Sequence, residues 1–534
     1  MITTTQMDNN AADSLFRILD QGKKKSIASD KFLDQLARTG ILSDDPRIQE
    51  LLNSIKLKEQ VNRNSPLITQ AEFNEMLKQN ALVKKSLTKN LVIPDFASFC
   101  EQVEAIFSAT HKNDQGKVAD YIPQLARVNP EHFALTICTV DGQRFSLGDS
   151  RVNFCLQSSC KPINYCLALE ELGEQKVHSH VGREPSGHSF NELTLNAHGL
   201  PHNPMINAGA MMSCSLIDRE NNIADRFDKV HKTWEALCGE KQVSFNNSVY
   251  LSERQTADRN FALAYSMREK NAFPEKTNLT ETLEFYFQCC SIESSTYDLS
   301  VAAATLANAG TNPMTGNVIF KPSTVQNCLS LMLSCGMYDF SGEFAFKIGL
   351  PAKSGVSGAL MLVIPNLMGI SIWSPRLDSL GNSVRGVEFC ERLVERFSFH
   401  QYDTLIGHSS KINPRKKEGE LMASKVMELI RAASYGDMEE ILRLEAEGVS
   451  PDTADYDGRT PLHLAACEGQ LEVVQHLIER KVQLRPKDRW GNTPLDDAIK
   501  FKHKEIKELL EQDLSPHRNG HEKASARKSL VMVE

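Results

Sequence analysis

The chain lacks the features that would commit it to a membrane, a metal or a nucleic acid. Its richest apolar stretch, Ala359 to Trp373, is broken by Pro365-Asn366, and a spanning helix needs about 20 predominantly apolar residues in a row. A protein that does not cross a membrane is expected. Lys and Arg number 60 and Asp and Glu 68, for a net charge of −8 with the two signs interspersed. No field of one sign therefore points to a polyanion or a charged lipid surface, and no nucleic-acid partner is expected. Among 13 cysteines there is no C-x-x-C pair and no Cys/His ligand spacing, which removes the usual zinc and redox motifs. Cys138, Cys155, Cys166, Cys214 and Cys335 sit in apolar segments, so the thiols read as reduced core residues, vicinal Cys289-Cys290 included. No metal site is expected. Met1 to Phe16 holds no arginine, two aspartates and no apolar h-region, unlike a secretory signal or a transit peptide.

What is present is a pair of ordered motifs. Ser158-Ser159-Cys160-Lys161 is followed by Lys353-Ser354-Gly355, the combination with which penicillin-recognising hydrolases assemble a serine nucleophile. Ser-x-x-Lys alone is weak: Ser86 to Lys89 and Ser525 to Lys528 share it, and such a serine is more often an N-cap beside a solvated lysine. The surroundings separate the three. Ser158 opens a run with apolar residues at 163, 166, 167 and 169, one face of a helix expected to end at Gly173. A serine in the first turn and a lysine three residues on share a face. The lysine can take the hydroxyl proton only if desolvation or a neighbouring cation lowers its pKa, and Lys353 is the candidate cation.

At 534 residues the chain exceeds one domain. Residues 1–13 read as disordered, and 14–109 as a helical unit with apolar clusters such as Phe32-Leu33-Leu36 and Phe73-Met76-Leu77. Asp20 to Lys31 has the length of an EF-hand loop, but Gly22, Lys24 and Lys31 occupy ligand positions and Lys25 replaces the turn glycine, so no calcium is expected there. From 110 to 408 strands and helices mix. Phe133 to Val140, the Asp141-Gly142 turn and Arg144 to Asp149 read as a hairpin, and Gly358 to Ile364 with Met368 to Trp373 as another. The fold class expected is α+β, an antiparallel sheet flanked by helices of the serine β-lactamase-like kind. Residues 409–421, with Pro414, read as a linker. Thr460-Pro461-Leu462-His463 recurs 33 residues later as Thr493-Pro494-Leu495-Asp496, which marks ankyrin repeats over 422–514. The tail, 515–534, is polar and basic and reads as disordered.

Long blocks within the middle of the chain resemble the glutaminase family. They include Tyr121-Ile122-Pro123-Gln124-Leu125-Ala126, Gln157-Ser158 with Lys161-Pro162, Asn203-Pro204-Met205-Ile206-Asn207-Ala208-Gly209-Ala210 and Ser252-Glu253-Arg254. Asp258-Arg259-Asn260, Met337-Tyr338-Asp339-Phe340-Ser341-Gly342 and Lys353-Ser354-Gly355-Val356 continue the series. The order of helical unit, catalytic domain and ankyrin repeats resembles the animal kidney-type and liver-type, phosphate-activated members. That resemblance implies hydrolysis of L-glutamine to L-glutamate and ammonia. It assigns Ser158 as nucleophile, Lys161 as base and Tyr338 as proton relay, with Tyr286 as a second phenol. The backbone N–H groups of Ser158 and Val356 would form the oxyanion hole. Glu253 would take the substrate ammonium, Asn207 and Asn260 its polar end, and Tyr121 the pocket border.

The same resemblance makes Gly187 to Asn196 a gating loop, with Phe190, Leu193 and Leu195 as its apolar members. It implies no cofactor, inorganic phosphate as the candidate activator, and a homotetramer with a dimer as the alternative. Three departures bear on these expectations. Glu192 and Thr194 stand where a lysine and an aromatic are common, and Ser266 where a phenol is common. Family resemblance places the protein in the mitochondrion, and the plain N-terminus keeps the cytoplasm as the alternative. The ankyrin repeats imply a protein partner that the residues do not name. Two rival readings use the same residues: a β-lactamase-like or peptidase-like serine hydrolase, and a scaffold whose hydrolase domain is inert.

Overall fold

The computed structural model describes residues 12, 15, 16, 19, 20, 26–61, 66–187, 192–405, 410–416, 418–446 and 448–513. It divides into two units, 1–415 and 416–534. In the first, strands β1 (Ala134–Thr139), β2 (Arg144–Gly148), β3 (Ala352–Ser354), β4 (Ala359–Ile364) and β5 (Met368–Trp373) form one antiparallel sheet in the order β2-β1-β5-β4-β3. The two hairpins read from the sequence are both present, the second turning at Asn366 with φ 58°.

Every residue of β1, β4 and β5 is buried, yet a period of two still sorts their side chains. Leu360, Leu362 and Ile364 join one apolar cluster with Phe96, Phe99 and Phe389, while Ala359, Met361 and Val363 join another with Ile163, Met211 and Leu283. Alternate residues of a strand face opposite sides, so a sheet covered on both faces reads as continuous apolar sequence. Helices α1 (Lys161–His178), α2 (Asn207–Leu216), α3 (Asn247–Gln255), α4 (Asp258–Glu269), α5 (Leu279–Cys290) and α6 (Thr296–Ala307) form the layer on that second side. α6 lies directly on β5, where a Cβ at Gly369 would fall 2.1 Å from the Ala304 nitrogen. The helix expected to stop at Gly173 instead breaks there, at φ 75° and ψ 165°, and resumes to His178. Glycine adopts that conformation without a Cβ clash.

The N-terminal helical domain, including helices Ser29–Arg38, Gln49–Val61 and Gln70–Gln79, carries a short pairing of Ser26–Ala28 with Leu67–Thr69 that the helical pattern hid. Ile27 and Ile68 face each other at its centre, each 1% exposed. Ala12, placed by sequence in a disordered N-terminus, is buried with Phe16 and Leu19 in that core. Residues 21–25 of the EF-hand-like loop lie outside the described residues, and the Lys31 amine donates to the Leu19 carbonyl at 2.7 Å. The domain is fastened to the sheet through the β1–β2 turn. Arg47 donates to the carbonyls of Asp141 (2.7 Å) and Gly142 (3.3 Å), and the Gln143 amide donates to Thr39 (2.9 Å) and Ile93 (3.0 Å).

The second unit opens with helix Glu418–Tyr435, four residues before the expected start at 422, in a run of helix formers that follows Pro414. Helix pairs Pro461–Glu468 with Leu471–Glu479 and Pro494–Lys500 with Lys504–Asp513 repeat the turn-plus-helix unit. The first pair shows why the Thr-Pro-Leu-His motif matters. His463 Nδ1 accepts from the Thr460 N–H at 3.1 Å, and its Nε2–H donates to the Asn492 carbonyl of the next repeat at 3.2 Å. Burial pushes the imidazole pKa down, keeping it neutral for both roles. His463→Ala is expected to lower stability by about 1–3 kcal/mol, through the buried Thr460 N–H and the partly buried Asn492 carbonyl it orphans, as measured by urea unfolding. An unchanged midpoint would refute the link. All 13 cysteines are free, 12 buried and Cys100 half-buried. Among the described residues no helix is long and apolar enough to cross a membrane, and no cluster of ligating side chains could hold a metal ion.

Candidate active site

The nucleophile candidate sits on a strained turn. Ser158, 7% exposed, belongs to the 3-10 turn Gln157–Cys160, and α1 starts only at Lys161. Gln157 holds φ at 49°, a left-handed conformation that costs a non-glycine residue energy and persists where its surroundings enforce it. Those surroundings include the Gln157 side chain, whose amide donates to Glu253 at 3.0 Å and whose oxygen accepts from the Tyr121 hydroxyl at 3.3 Å. Gly355 lies close against the same turn: a Cβ there would meet the Leu156 carbonyl at 2.8 Å. The two sequence motifs thus meet in space.

Lys161 is completely buried and donates to Asn207 Oδ1 at 2.6 Å. Burial depresses its pKa to about 8. Sequence reasoning looked to Lys353 for this effect, and the structure assigns it to desolvation instead. The coupling appears on the other partner. Lys353 is also fully buried, and its pKa falls well below the ordinary value through burial first and the Lys161 charge second. Its ammonium donates to the carbonyls of Gly336 (3.1 Å) and Ser354 (2.7 Å) and lies 4.6 Å from the Tyr338 ring centre.

Tyr338 also has a positive φ, 54°, and its turn is stapled by Ser341, whose hydroxyl donates to the Tyr338 carbonyl at 2.7 Å and accepts from the Met337 N–H at 2.9 Å. That explains the Met-Tyr-Asp-Phe-Ser spacing. The phenol interacts with the Ser158 hydroxyl and with the backbone N–H of Val356, while burial pushes its pKa up. A phenol held protonated beside a serine can donate a proton.

The polar end of the site is a second network. Asn207, at the start of α2, accepts on one oxygen from Lys161 and from the Tyr286 hydroxyl (3.2 Å), and its amide donates to Asn260 at 3.3 Å. Gly209 lets this helix approach its own lead-in, because a Cβ there would lie 1.8 Å from the Asn203 carbonyl. Glu253, 8% exposed on α3, accepts from the Tyr121 hydroxyl at 2.5 Å as well as from Gln157. Burial raises its pKa and the two hydrogen bonds oppose the rise. Tyr121 is half exposed but turns its hydroxyl inward. Contacts thus join Ser158, Tyr338 and Val356 in one set, Lys161, Asn207, Asn260 and Tyr286 in another, and Glu253 and Tyr121 with Gln157 in a third, and the short stretch from Gln157 to Lys161 contributes a residue to each. Gln157, which joins Glu253 to the nucleophile turn, was not among the expected site residues; the only signal in the sequence is that a glutamine directly precedes Ser158. Of the residues expected in a gating loop, Phe190 lies outside the described residues, Leu193 is half exposed, and Leu195 packs partly buried on the core.

Residues 116–402 match the glutaminase family model. The chain belongs to the glutaminase family. Residues 11–94 match an EF-hand domain and 429–519 ankyrin repeats. The liver isoform of glutaminase from Mus musculus, named as mitochondrial, is 45% identical over 93% of this chain and 83% of its own length. Putative glutaminase 2 of Caenorhabditis elegans is 43% identical over 95% and 86%. Among solved structures, a probable glutaminase superposes with a TM-score of 0.53 at 35% identity, covering 58% of this chain and 97% of its own. Mglu in its L-glutamate binding form gives 0.54 at 36%, covering 56% and 67%. The protein is a glutaminase, an enzyme that hydrolyses L-glutamine to L-glutamate. Of the three readings open at the level of sequence, family membership supports this one over the penicillin-recognising hydrolase and the inert scaffold.

Proposed function

We propose that this glutaminase works through a γ-glutamyl ester on Ser158, with Lys161 as the general base. Neutral Lys161 takes the hydroxyl proton as Ser158 attacks the side-chain amide carbon, and the oxyanion collects on the N–H groups of Ser158 and Val356. Tyr338 passes a proton to the departing ammonia, and water then cleaves the ester by the reverse set of transfers. Glu253 pairs with the α-ammonium, Asn207 and Asn260 hold the polar end, and Tyr121 and Tyr286 fix those groups in place. The observation that carries this reading is the buried Lys161, with its pKa near 8: a lysine of ordinary pKa could not serve as a base at neutral pH.

The pH dependence follows. Lys161 acts when neutral, so activity is lost as pH falls through about 8, and protonation of Glu253 below its raised pKa steepens the loss. kcat/KM for glutamine should therefore rise across about pH 6 to 9, and Lys161→Arg should remove the part of that rise centred near 8, leaving only the Glu253 contribution at lower pH, and cost roughly two to four orders of magnitude of rate. A flat wild-type profile over the same range would sink the assignment. Brief acid quench during turnover and peptide mass analysis should find a glutamyl adduct on Ser158.

By the names of its rodent relatives, the protein acts in the mitochondrion. It assembles as a homotetramer, responds to inorganic phosphate through the Gly187 to Asn196 loop, and uses its ankyrin repeats to hold a protein partner. Sedimentation and phosphate titration test the first two of these last properties; a monomer with unaltered turnover in phosphate would overturn both.

A further inference from the structure

We propose a second ligand site, for a small amphiphilic carboxylate, in the cavity where the N-terminal helical domain meets edge strand β2. The cavity, open to solvent along Ala37, Arg38 and Ala97, has a volume of about 490 Å3, within the roughly 300–1,000 Å3 of small-molecule sites, which gather at junctions between domains. Its walls have two characters. Leu42, Phe96, Ala97 and Phe145 form an apolar part, and Arg38, Arg144 and Arg151 add three guanidinium groups without a lining carboxylate.

The nearby counter-ion does not answer this charge. Asp44 accepts from Arg144 at 2.7 Å, Arg151 at 3.4 Å and the Tyr297 hydroxyl at 2.6 Å, so one carboxylate serves two arginines. Those partners outweigh its burial and hold its carboxyl below the ordinary pKa. Arg38 forms no ion pair among the described residues. Arg144 is 4% exposed, and its Nε–H is buried without an acceptor. That nitrogen has no surface open to the cavity; the guanidinium groups open to a ligand are those of Arg38 and Arg151, both exposed. Glu101 and Glu104, both solvent-exposed, lie on the helix that carries Cys100 on the cavity wall, which leaves the arginine side as the place for an anionic head. The guanidinium fork matches a planar carboxylate, and the apolar part takes a short hydrocarbon body. The site is separate from the Ser158 network and does not depend on the proposed mechanism.

Octanoate is the probe. In calorimetric titration of the full chain it should bind once per subunit and at least tenfold more tightly than octanol, octyl phosphate or inorganic phosphate. Arg38→Glu reverses one wall charge, and Ala97→Trp fills the apolar part from an exposed position; each should weaken octanoate at least tenfold while melting temperature and glutamine turnover stay at wild-type values. No binding to the wild type, or equal binding to wild type and Ala97→Trp, would overturn the site. Equal affinity for octanol would remove the role of the arginines, and equal affinity for inorganic phosphate that of the apolar wall. A preference for octyl phosphate would refute the carboxylate head.

Discussion

Ser158→Ala should lower ammonia release from glutamine by roughly four to six orders of magnitude, the scale on which loss of a nucleophile that works as part of a unit is felt. Ser158 is 7% exposed on a turn whose shape depends on Gln157 at φ 49° and on Gly355 behind it, so alanine should fold without rearranging either. Two further measurements separate a catalytic role from a structural one. Lys161→Ala should cost nearly as much, and the double variant little more than either single, because base and nucleophile act in one step. Glutamate should still protect the Ser158→Ala protein against thermal unfolding, since the groups proposed to hold the amino-acid end lie elsewhere. Full activity in the alanine variant would refute the acyl-enzyme, and additive losses would separate the two residues.

The second large effect is expected at Glu253. Its carboxylate is 8% exposed and braced by Tyr121 at 2.5 Å and Gln157 at 3.0 Å. Glu253→Gln keeps the shape but removes the charge that would face the substrate ammonium. Leaving a buried charge without its partner costs about 3–5 kcal/mol, so kcat/KM should drop roughly 10²- to 10⁴-fold. The loss should fall mainly on KM, because the ammonium carries the same charge in ground state and transition state. The sign for stability is opposite. Burial has raised the pKa of Glu253, so ionising it costs more folded than unfolded, and neutral Gln should leave the protein as stable or slightly more so at neutral pH. A variant with unchanged KM, or one that melts well below wild type, would count against this role.

Much of the architecture was legible because it is written in local spacing. The Thr-Pro-Leu repeat at 33 residues, the paired strands around Asp141-Gly142 and Pro365-Asn366, and the apolar face following Ser158 each concern residues that are neighbours in sequence. The helical domain misled in one respect. Three-residue strands at Ser26–Ala28 and Leu67–Thr69 are too short to show a period and exist only because two distant loops pair.

The sequence by itself determined that this is a three-part glutaminase with an Ser-x-x-Lys turn, because those features repeat or match within short windows. Only the tertiary structure decided what lowers the Lys161 pKa. Nothing beside Lys161 in the chain shows that it is fully buried or that Asn207, 46 residues on, meets its ammonium at 2.6 Å. Gln157 reaching Glu253 across 96 residues, and three arginines gathering around one cavity, are likewise set by packing. Desolvation and long-range contacts depend on which surfaces close over a group, and that is settled by the assembled core.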